Sequence, residues 1–255
     1  MQKGAALITG AARRIGAEIA RTLAADGYPV VIHCNGSVDD AASVAGQIAE
    51  QGGRAAIVSG DLADHDRVMQ LIPEASEAIG APLSVLVNNA SLFQNDSIRT
   101  ADLQSFDSHM AVNLRAPLFL TQGFASALPD GLPGNVINLV DMRVRKLLPG
   151  FTSYTLAKAA LETLTTTTAM ALAPRIRVNA IGPGPVLANE RQSEVQFQRQ
   201  WSSTLLQRGA HPDEIASCVR YILSAPALTG QMIMLDGGQH LNWPPLGPDS
   251  PELDD

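Results

Sequence analysis

Tyr154 and Lys158 stand four residues apart in the segment SYTLAK. On a helix that spacing stacks the two side chains one turn apart on one face. An ammonium beside a phenol favours the phenolate and lowers a pKa that is ordinarily about 10. At about 4 Å and an effective dielectric near 20 the attraction is about 4 kcal/mol before desolvation is counted. The pair is therefore expected to make tyrosine an acid usable near neutral pH, fit for proton transfer to a small-molecule substrate.

A second chemical feature is the stretch TGAARRIG, Thr9 to Gly16, directly after the apolar run AALI. A strand that ends in a glycine turn and opens a helix offers backbone N–H groups to a pyrophosphate, here around Gly10 and Gly16. The spacing is not G-x-G-x-x-G, so the turn alone is a weak dinucleotide signature. The end of the second apolar run reads HCNGS, with no acid until Asp39. A carboxylate there would bind ribose hydroxyls and repel a 2′-phosphate. His33, Asn35 and Ser37 can donate to such a phosphate or tolerate it, and Arg13 in the adjacent turn can reach it. NADPH is the cofactor these residues predict. Arg14 stands where a close-packed loop would favour glycine.

The elements that must carry these groups follow from the apolar pattern. AALIT (5–9), PVVIH (29–33), RAAIVSGD (54–61), LSVLVNNA (83–90), NVINLV (135–140), IRVNAIGPG (176–184) and QMIMLDGG (231–238) read as strands. Helical patterns separate them: IGAEIARTLAADG stopped by Gly27, about 39–51, DRVMQLIPEASEAIG, roughly 103–128, SYTLAKAALETLTTTTAMALA, and PDEIASCVRYILS after a polar insertion. Near-continuous apolar strands alternating with helices predict an α/β fold, a single doubly wound Rossmann-type domain of about seven parallel strands with helices on both faces. That domain is expected over residues 1–242, with a Pro/Asp-rich tail over 243–255. The run TTTT (165–168) is poor helix chemistry, because β-branched residues lose rotamer freedom there. It suggests either a packed helix or a subunit interface, and the tail is expected to pack on its own or an adjacent subunit.

In this order the chain resembles the short-chain dehydrogenase/reductase family over essentially its whole length: TGxxx-R-I-G, Asp61-Leu62, NNA (88–90), Asn113 in MAVNL, YxxxK, NAIGPGP (179–185) and TGQ…DGG (229–238). The resemblance implies hydride transfer from a nicotinamide and usually a dimer or tetramer. It also implies that Asp61 meets the adenine, Asn89 lines the nicotinamide ribose, and Lys158 binds ribose hydroxyls. Asn113 would hold a proton-relay water and Pro183-Gly184 would border the nicotinamide. Ile15, Leu62 and Ala90 belong to the same cofactor motifs.

Where the family generally has a serine, thirteen residues before the tyrosine, this chain has Asp141. An ionised aspartate disfavours a tyrosinate and cannot donate to a ketone oxygen. It suits a protonated carboxyl, or a substrate whose nitrogens receive the proton. With Arg14 and NNASLF (Ser91, Phe93), Asp141 resembles the pattern of pteridine and dihydromonapterin reductases. That resemblance implies that Phe93 stacks a pterin, that Arg14 serves pyrophosphate and pterin edge together, and that Ser91 bonds near the same edge. Reduction of ketones or 3-oxoacyl thioesters is the alternative, with Asp141 incidental; a nonenzymatic NADP(H) sensor is disfavoured by the intact Asn113, Tyr154 and Lys158. The basic residues of MRVRKLLPGF (142–151) have no assigned role.

Bulk properties fit. The chain is 255 residues long with a net charge of −7, which argues against nucleic acid or an anionic membrane surface as partner. No apolar run is long enough for a bilayer span, and no signal segment is evident. Cys34 and Cys218 are too isolated for a disulfide framework, so a cytoplasmic protein is expected. His65, His109, His211 and His240 lack metal-ligand spacing, so no metal is expected. Met232 and Met234 alternate on a strand and read as core.

Overall fold

The computed structural model describes residues 4–188 and 193–242. Short apolar runs become strands because each is covered on both faces: β1 (Ala5–Ile8), β2 (Val30–Cys34) and β4 (Leu83–Asn88) are buried throughout. With β3 (Ala55–Ser59), β5 (Gly134–Leu139), β6 (Ile176–Pro183) and β7 (Met232–Leu235) they form one sheet in the order β3-β2-β1-β4-β5-β6-β7. All neighbouring pairs run parallel. Strand side chains alternate between faces. Ala6 and Ile8 thus join the core under α1 (Arg14–Ala25), α2 (Val38–Glu50) and α8 (Pro212–Ser224), while Ala5 and Leu7 join that under α3 (His65–Ile79), α5 (Ala116–Ala127) and α6 (Thr152–Leu172). This is the expected doubly wound Rossmann-type fold. The strand order reverses between β1 and β4, and the crevice beyond their C-terminal ends is where such sheets take ligands.

Local departures from the sequence pattern bear on the site. The helix expected over 103–128 is interrupted: α4 (Leu103–Met110) passes through a π turn, Ala111–Arg115, before α5 begins with Pro117 in its first turn. A π turn inserts an extra residue into the ladder and re-aims the side chains it carries, Asn113 among them. The polar insertion contains a helix, α7 (Glu194–Ser202), opened by a capping box between Ser193 and Gln196.

The threonine run in α6 is accommodated by back-bonding: Thr165 and Thr168 donate to the Leu161 and Leu164 carbonyls at 2.9 and 2.6 Å. Thr165 also accepts from Asn138 at 2.9 Å, and Asn138 accepts from Asn88 at 2.8 Å, so a buried polar chain ties β4 and β5 to α6. The tail, 243–255, lies outside the described residues.

Candidate active site

At the ends of β1, β2 and β4 a cleft of about 860 Å3 opens, lined by Gly10, Arg13, Arg14, Ile15, His33, Asn35, Asp61, Leu62, Asn89, Ala90 and Ser91. Its floor is backbone packed against backbone. Gly10 has φ +62, and a Cβ on it would come within 3.0 Å of the Ala90 Cα. A Cβ on Gly16 would meet the Gly10 carbonyl oxygen at 2.4 Å. The Thr9 hydroxyl accepts the N–H groups of Asn89 and Ala90 at 2.9 and 3.0 Å, and Asn89 Nδ2 donates back to the Thr9 carbonyl at 2.8 Å. These bonds fix the first and fourth strand ends against each other, leaving the N–H groups that open α1 without helical partners. Asp61 Oδ1 is held at its turn by the Ala63 N–H at 2.8 Å.

Three of the residues proposed for this cleft do something other than expected. His33 is buried, and both ring nitrogens are engaged: Nδ1 accepts from Gly10 N–H at 3.2 Å, and Nε2 faces the Gly60 carbonyl at 3.1 Å. Burial holds its pKa down at about 4, with the Gly60 bond opposing and Arg67 adding to the depression. His33 is a neutral brace beneath the turn and has no donor left for a phosphate; the Gly10 N–H is likewise committed to it. Arg13 is paired with Asp40, Nε to Oδ2 at 2.6 Å, so an acid absent from the strand end reaches the arginine from α2. Ser37 sits at the start of α2, outside the residues that line the cleft.

Arg14 answers the glycine-like position of the turn. Its φ is +54, a left-handed backbone costing about 1–2 kcal/mol for a residue with a Cβ. The guanidinium crosses to the loop after β6, donating to the carbonyls of Ala188 and Leu187 at 2.8 and 3.0 Å. Glycine would relax the turn but lose this clamp.

Beyond Arg14 lies a smaller recess of about 230 Å3, lined by Asp141, Arg143, Tyr154, Lys158, Phe93, Pro183 and Gly184, and sharing Arg14, Ile15, Asn89 and Ser91 with the cleft. Tyr154 Oη donates to Asp141 Oδ2 at 2.7 Å, and the other carboxylate oxygen accepts the Arg143 N–H at 2.8 Å. Lys158 Nζ donates to the Leu139 carbonyl at 2.7 Å and lies 5.7 Å from the Tyr154 ring centroid. The expected acidic tyrosine is reversed. Burial, then the Asp141 charge and its hydrogen bond, raise the Tyr154 pKa well above 10, against smaller opposition from Arg143 and Ser91. Burial also lowers Lys158 to about 8, with Asp141 pulling the other way. Burial and the adjacent carboxylate decide the direction for the phenol, and burial works against the charged lysine as well. Asn113 is buried away from the lining: its Oδ1 accepts from Leu92 N–H at 2.8 Å and Ser91 Oγ at 3.2 Å, and its Nδ2 donates to the Leu92 carbonyl at 2.8 Å. It clamps the segment that carries Ser91 and Phe93.

Phe93 does not stand alone. It stacks on Phe151 with ring centroids 4.4 Å apart and planes parallel, and meets the Tyr154 ring edge-on at 4.7 Å. Phe151 enters α6 with φ +56, a second left-handed residue whose side chain serves this recess. Over the pair lies Arg143, its guanidinium carbon 4.6 Å from the Phe151 centroid and 5.6 Å from that of Phe93. Sequence reasoning missed both; the signals were an aromatic three residues before Tyr154, following Gly150, and a basic segment with no assigned work. Of that segment, Arg145 pairs with Glu162. No group of metal-ligating side chains occurs among the described residues.

A family profile described as enoyl-(acyl carrier protein) reductase matches residues 10–240. The chain belongs to the short-chain dehydrogenase/reductase family, a family of oxidoreductases. Within it, the chain is 33% identical to pteridine reductase 1 of Leishmania tarentolae, covering 92% of this chain and 96% of that protein. It is 31% identical to a 3-oxoacyl-(acyl-carrier-protein) reductase of a Synechocystis strain, over 91% and 95%. The crystal structure of FolM alternative dihydrofolate reductase 1 from Brucella suis in complex with NADP aligns with a TM-score of 0.92 and 48% identity, over 96% of this chain and 98% of that one.

Proposed function

We propose that the protein is an NADPH-dependent reductase of pterins, acting on a ring C=N bond. The observation that carries this reading is the Tyr154–Asp141 hydrogen bond at 2.7 Å in a recess walled by Phe93. A carboxylate at that position cannot donate to a ketone oxygen, whereas a pterin has N–H groups that can donate to it and a ring nitrogen that can take the proton from Tyr154. The relatives named as pteridine and dihydrofolate reductases support the same reading.

The outer cleft fits a dinucleotide: a floor that glycine alone can line, helix N–H groups facing it, and Arg13 and Arg14 at its rim. Arg13 and Asn35 would take the 2′-phosphate, Arg14 and the α1 N-terminus the pyrophosphate, Asp61 with Leu62 the adenine, and Asn89 with Ala90 and Lys158 the nicotinamide ribose. Ile15, Pro183 and Gly184 would border the ring. Bound there, NADPH supplies the hydride to substrate carbon.

The rest is proton handling. Tyr154 Oη, with Asp141 beside it, gives the ring nitrogen its proton as the C=N bond becomes C–N. Lys158 offsets the charge left on the phenol oxygen, Asp141 holds the Tyr154 hydroxyl in place through the hydrogen bond it accepts, and solvent returns the proton. Asn113 keeps Ser91 and Phe93 in register with the ring. A homo-oligomer, dimer or tetramer, fits the exposed Leu156 and Met170 on α6, and a cytoplasmic setting fits the composition; no described helix is long and apolar enough to cross a membrane. NADPH oxidation against dihydrobiopterin, dihydrofolate, a ketone panel and a 3-oxoacyl thioester tests the proposal. Turnover confined to the ketones or the thioester would replace pterin reduction with carbonyl reduction.

A further inference from the structure

Arg143 is a cation that the catalytic arrangement does not use up. The residue is 9% exposed, and an arginine so buried is normally held by a carboxylate or by carbonyl oxygens. Arg177, which is partly buried, obeys that rule: it donates to the Leu228 and Ile222 carbonyls at 2.7 and 2.9 Å. The Arg143 guanidinium has no such partner among the described residues. Its contacts are the rings of Phe151 and Phe93.

A cation–π contact engages the charge of a guanidinium but pairs none of its N–H donors, whose fork matches a carboxylate. Arg143 lines the recess of Asp141 and Tyr154. The neighbouring charges do not pair with these donors. Arg14 and Lys158 are cations with carbonyl partners of their own, and Asp141 bonds the Tyr154 hydroxyl and the Arg143 backbone N–H, not the guanidinium. Within a protein of net charge −7 the recess carries three cations, Arg14, Arg143 and Lys158, against one carboxylate, Asp141. Arg14 would meet the cofactor's pyrophosphate in the cleft, which leaves Arg143 as the recess cation without an anionic partner.

We propose that Arg143 is a specificity residue that receives a carboxylate carried by the substrate, beside the ring reduced at Asp141 and Tyr154. This deepens the pterin reading and rests on it for the ring: among pterins it selects those whose substituent is an anionic, folate-like tail over those with a neutral polyol side chain.

Two measurements keep this assignment separable from the pterin reading. Calorimetric titration of the protein, with and without NADP+, uses benzoate and benzamide, probes of nearly equal shape that differ in charge. Benzoate is expected to bind about ten-fold or more tightly than benzamide, as for a charge-assisted pair against a neutral one. R143M should erase the difference and R143K should keep part of it. Steady-state kinetics then compare dihydrofolate with dihydrobiopterin: R143M should lower the kcat/KM ratio of the two by about ten-fold or more, chiefly through the KM for dihydrofolate. Equal affinities for the two probes in the unmodified protein, or no benzoate binding in the millimolar range, overturns the assignment without recourse to any variant. Equal losses on both pterins in R143M also overturn it, reducing Arg143 to a prop for the phenylalanines. If neither pterin is turned over while the benzoate preference stands and vanishes in R143M, the anion site survives and the ring assignment falls.

Discussion

The outer cleft and the inner recess are neighbours that share Arg14, Ile15, Asn89 and Ser91, yet they are built in opposite ways. The cleft is made by main chain: glycines without room for a Cβ, strand ends locked by Thr9 and Asn89, a helix N-terminus, and His33 bracing the turn from below. The recess is made by side chains from segments far apart in sequence, namely Phe93, Asp141, Arg143, Phe151 and Tyr154. A backbone-built site tolerates little variation and suits a ligand shared by many enzymes. A side-chain-built site can be re-specified by single substitutions, and there the choice of substrate resides.

The largest expected effect breaks the recess without touching the cleft. Asp141→Ser removes the proton acceptor beside Tyr154 and restores a hydroxyl that can donate to a ketone. Pterin reduction should fall roughly 10²–10⁴-fold, as for a lost acid–base partner, while ketone reduction is spared or improved. The same change removes the carboxylate charge that, after burial, holds the Tyr154 pKa up, so the pH profile for ketones should shift down relative to that of the unmodified protein. Parallel kcat/KM measurements on a dihydropterin and a ketone decide it; unchanged pterin turnover would remove the main chemical support for the pterin reading.

The next effect strikes the cleft alone, through pH. His33 titrates at about 4 in the folded chain and near 6.5 unfolded. The unfolded state therefore binds the extra proton first as pH falls. The stabilisation is complete above about pH 6.5, declines through the window down to about 4, and amounts to about 3 kcal/mol. Chemical denaturation of the protein and of His33→Gln across that range should show the steeper acid loss in the protein carrying His33. Parallel curves would mean that the ring is not the neutral brace described.

The two regions also differed in how far they could be read in advance. Strand order and the glycine turn follow from local periodicity and from residues whose backbone geometry leaves few options, so the floor of the cleft was legible, while the tertiary partners that engage His33 and Arg13 were not. The recess was only partly so. Phe151 and Arg143 gain their roles from a tertiary stack with Phe93, about fifty residues away or more, and no local pattern announces it. Tyr154 was misjudged because a pairwise attraction to Lys158 can be estimated from spacing, while the burial that outweighs it cannot. The helix α7 and its capping box were available in the letters SEVQ and hidden by the polar composition around them.

A smaller effect sharpens the account of the cleft rim. Arg13 is held by Asp40 at 2.6 Å, with its side chain 59% exposed, so a 2′-phosphate must compete with a carboxylate already in place. Arg13→Ala should weaken NADPH binding by about 1.5 kcal/mol, the lower end for a hydrogen bond to a charged group, and leave NADH nearly unchanged. Asp40→Asn, by releasing the arginine, should tighten NADPH. Fluorescence titration with both cofactors measures this, and equal affinity of the unmodified protein for NADPH and NADH would sink it.

The smallest expected effect returns to the recess and tests whether its aromatic wall belongs to the substrate or to itself. Phe93 has one face on Phe151 at 4.4 Å and an edge contact with Tyr154. If a pterin stacks on the remaining face, Phe93→Ala removes a ring–ring interaction worth about 0.5–1.5 kcal/mol beyond area burial, roughly a two- to ten-fold rise in pterin KM. Phe93→Leu retains the apolar area but not the ring, so it isolates the stacking part. NADPH affinity should move little in either variant, because the cleft floor is main chain and Phe93 does not line it. The discriminating comparison is with Phe151→Leu. That ring supports Phe93 and Arg143 from behind, so its loss should lower pterin affinity indirectly and also cut any preference for an anionic tail, which Phe93→Leu should largely preserve. Identical profiles for the two leucine variants would mean that the stack acts as one structural block, with no separate substrate face on Phe93.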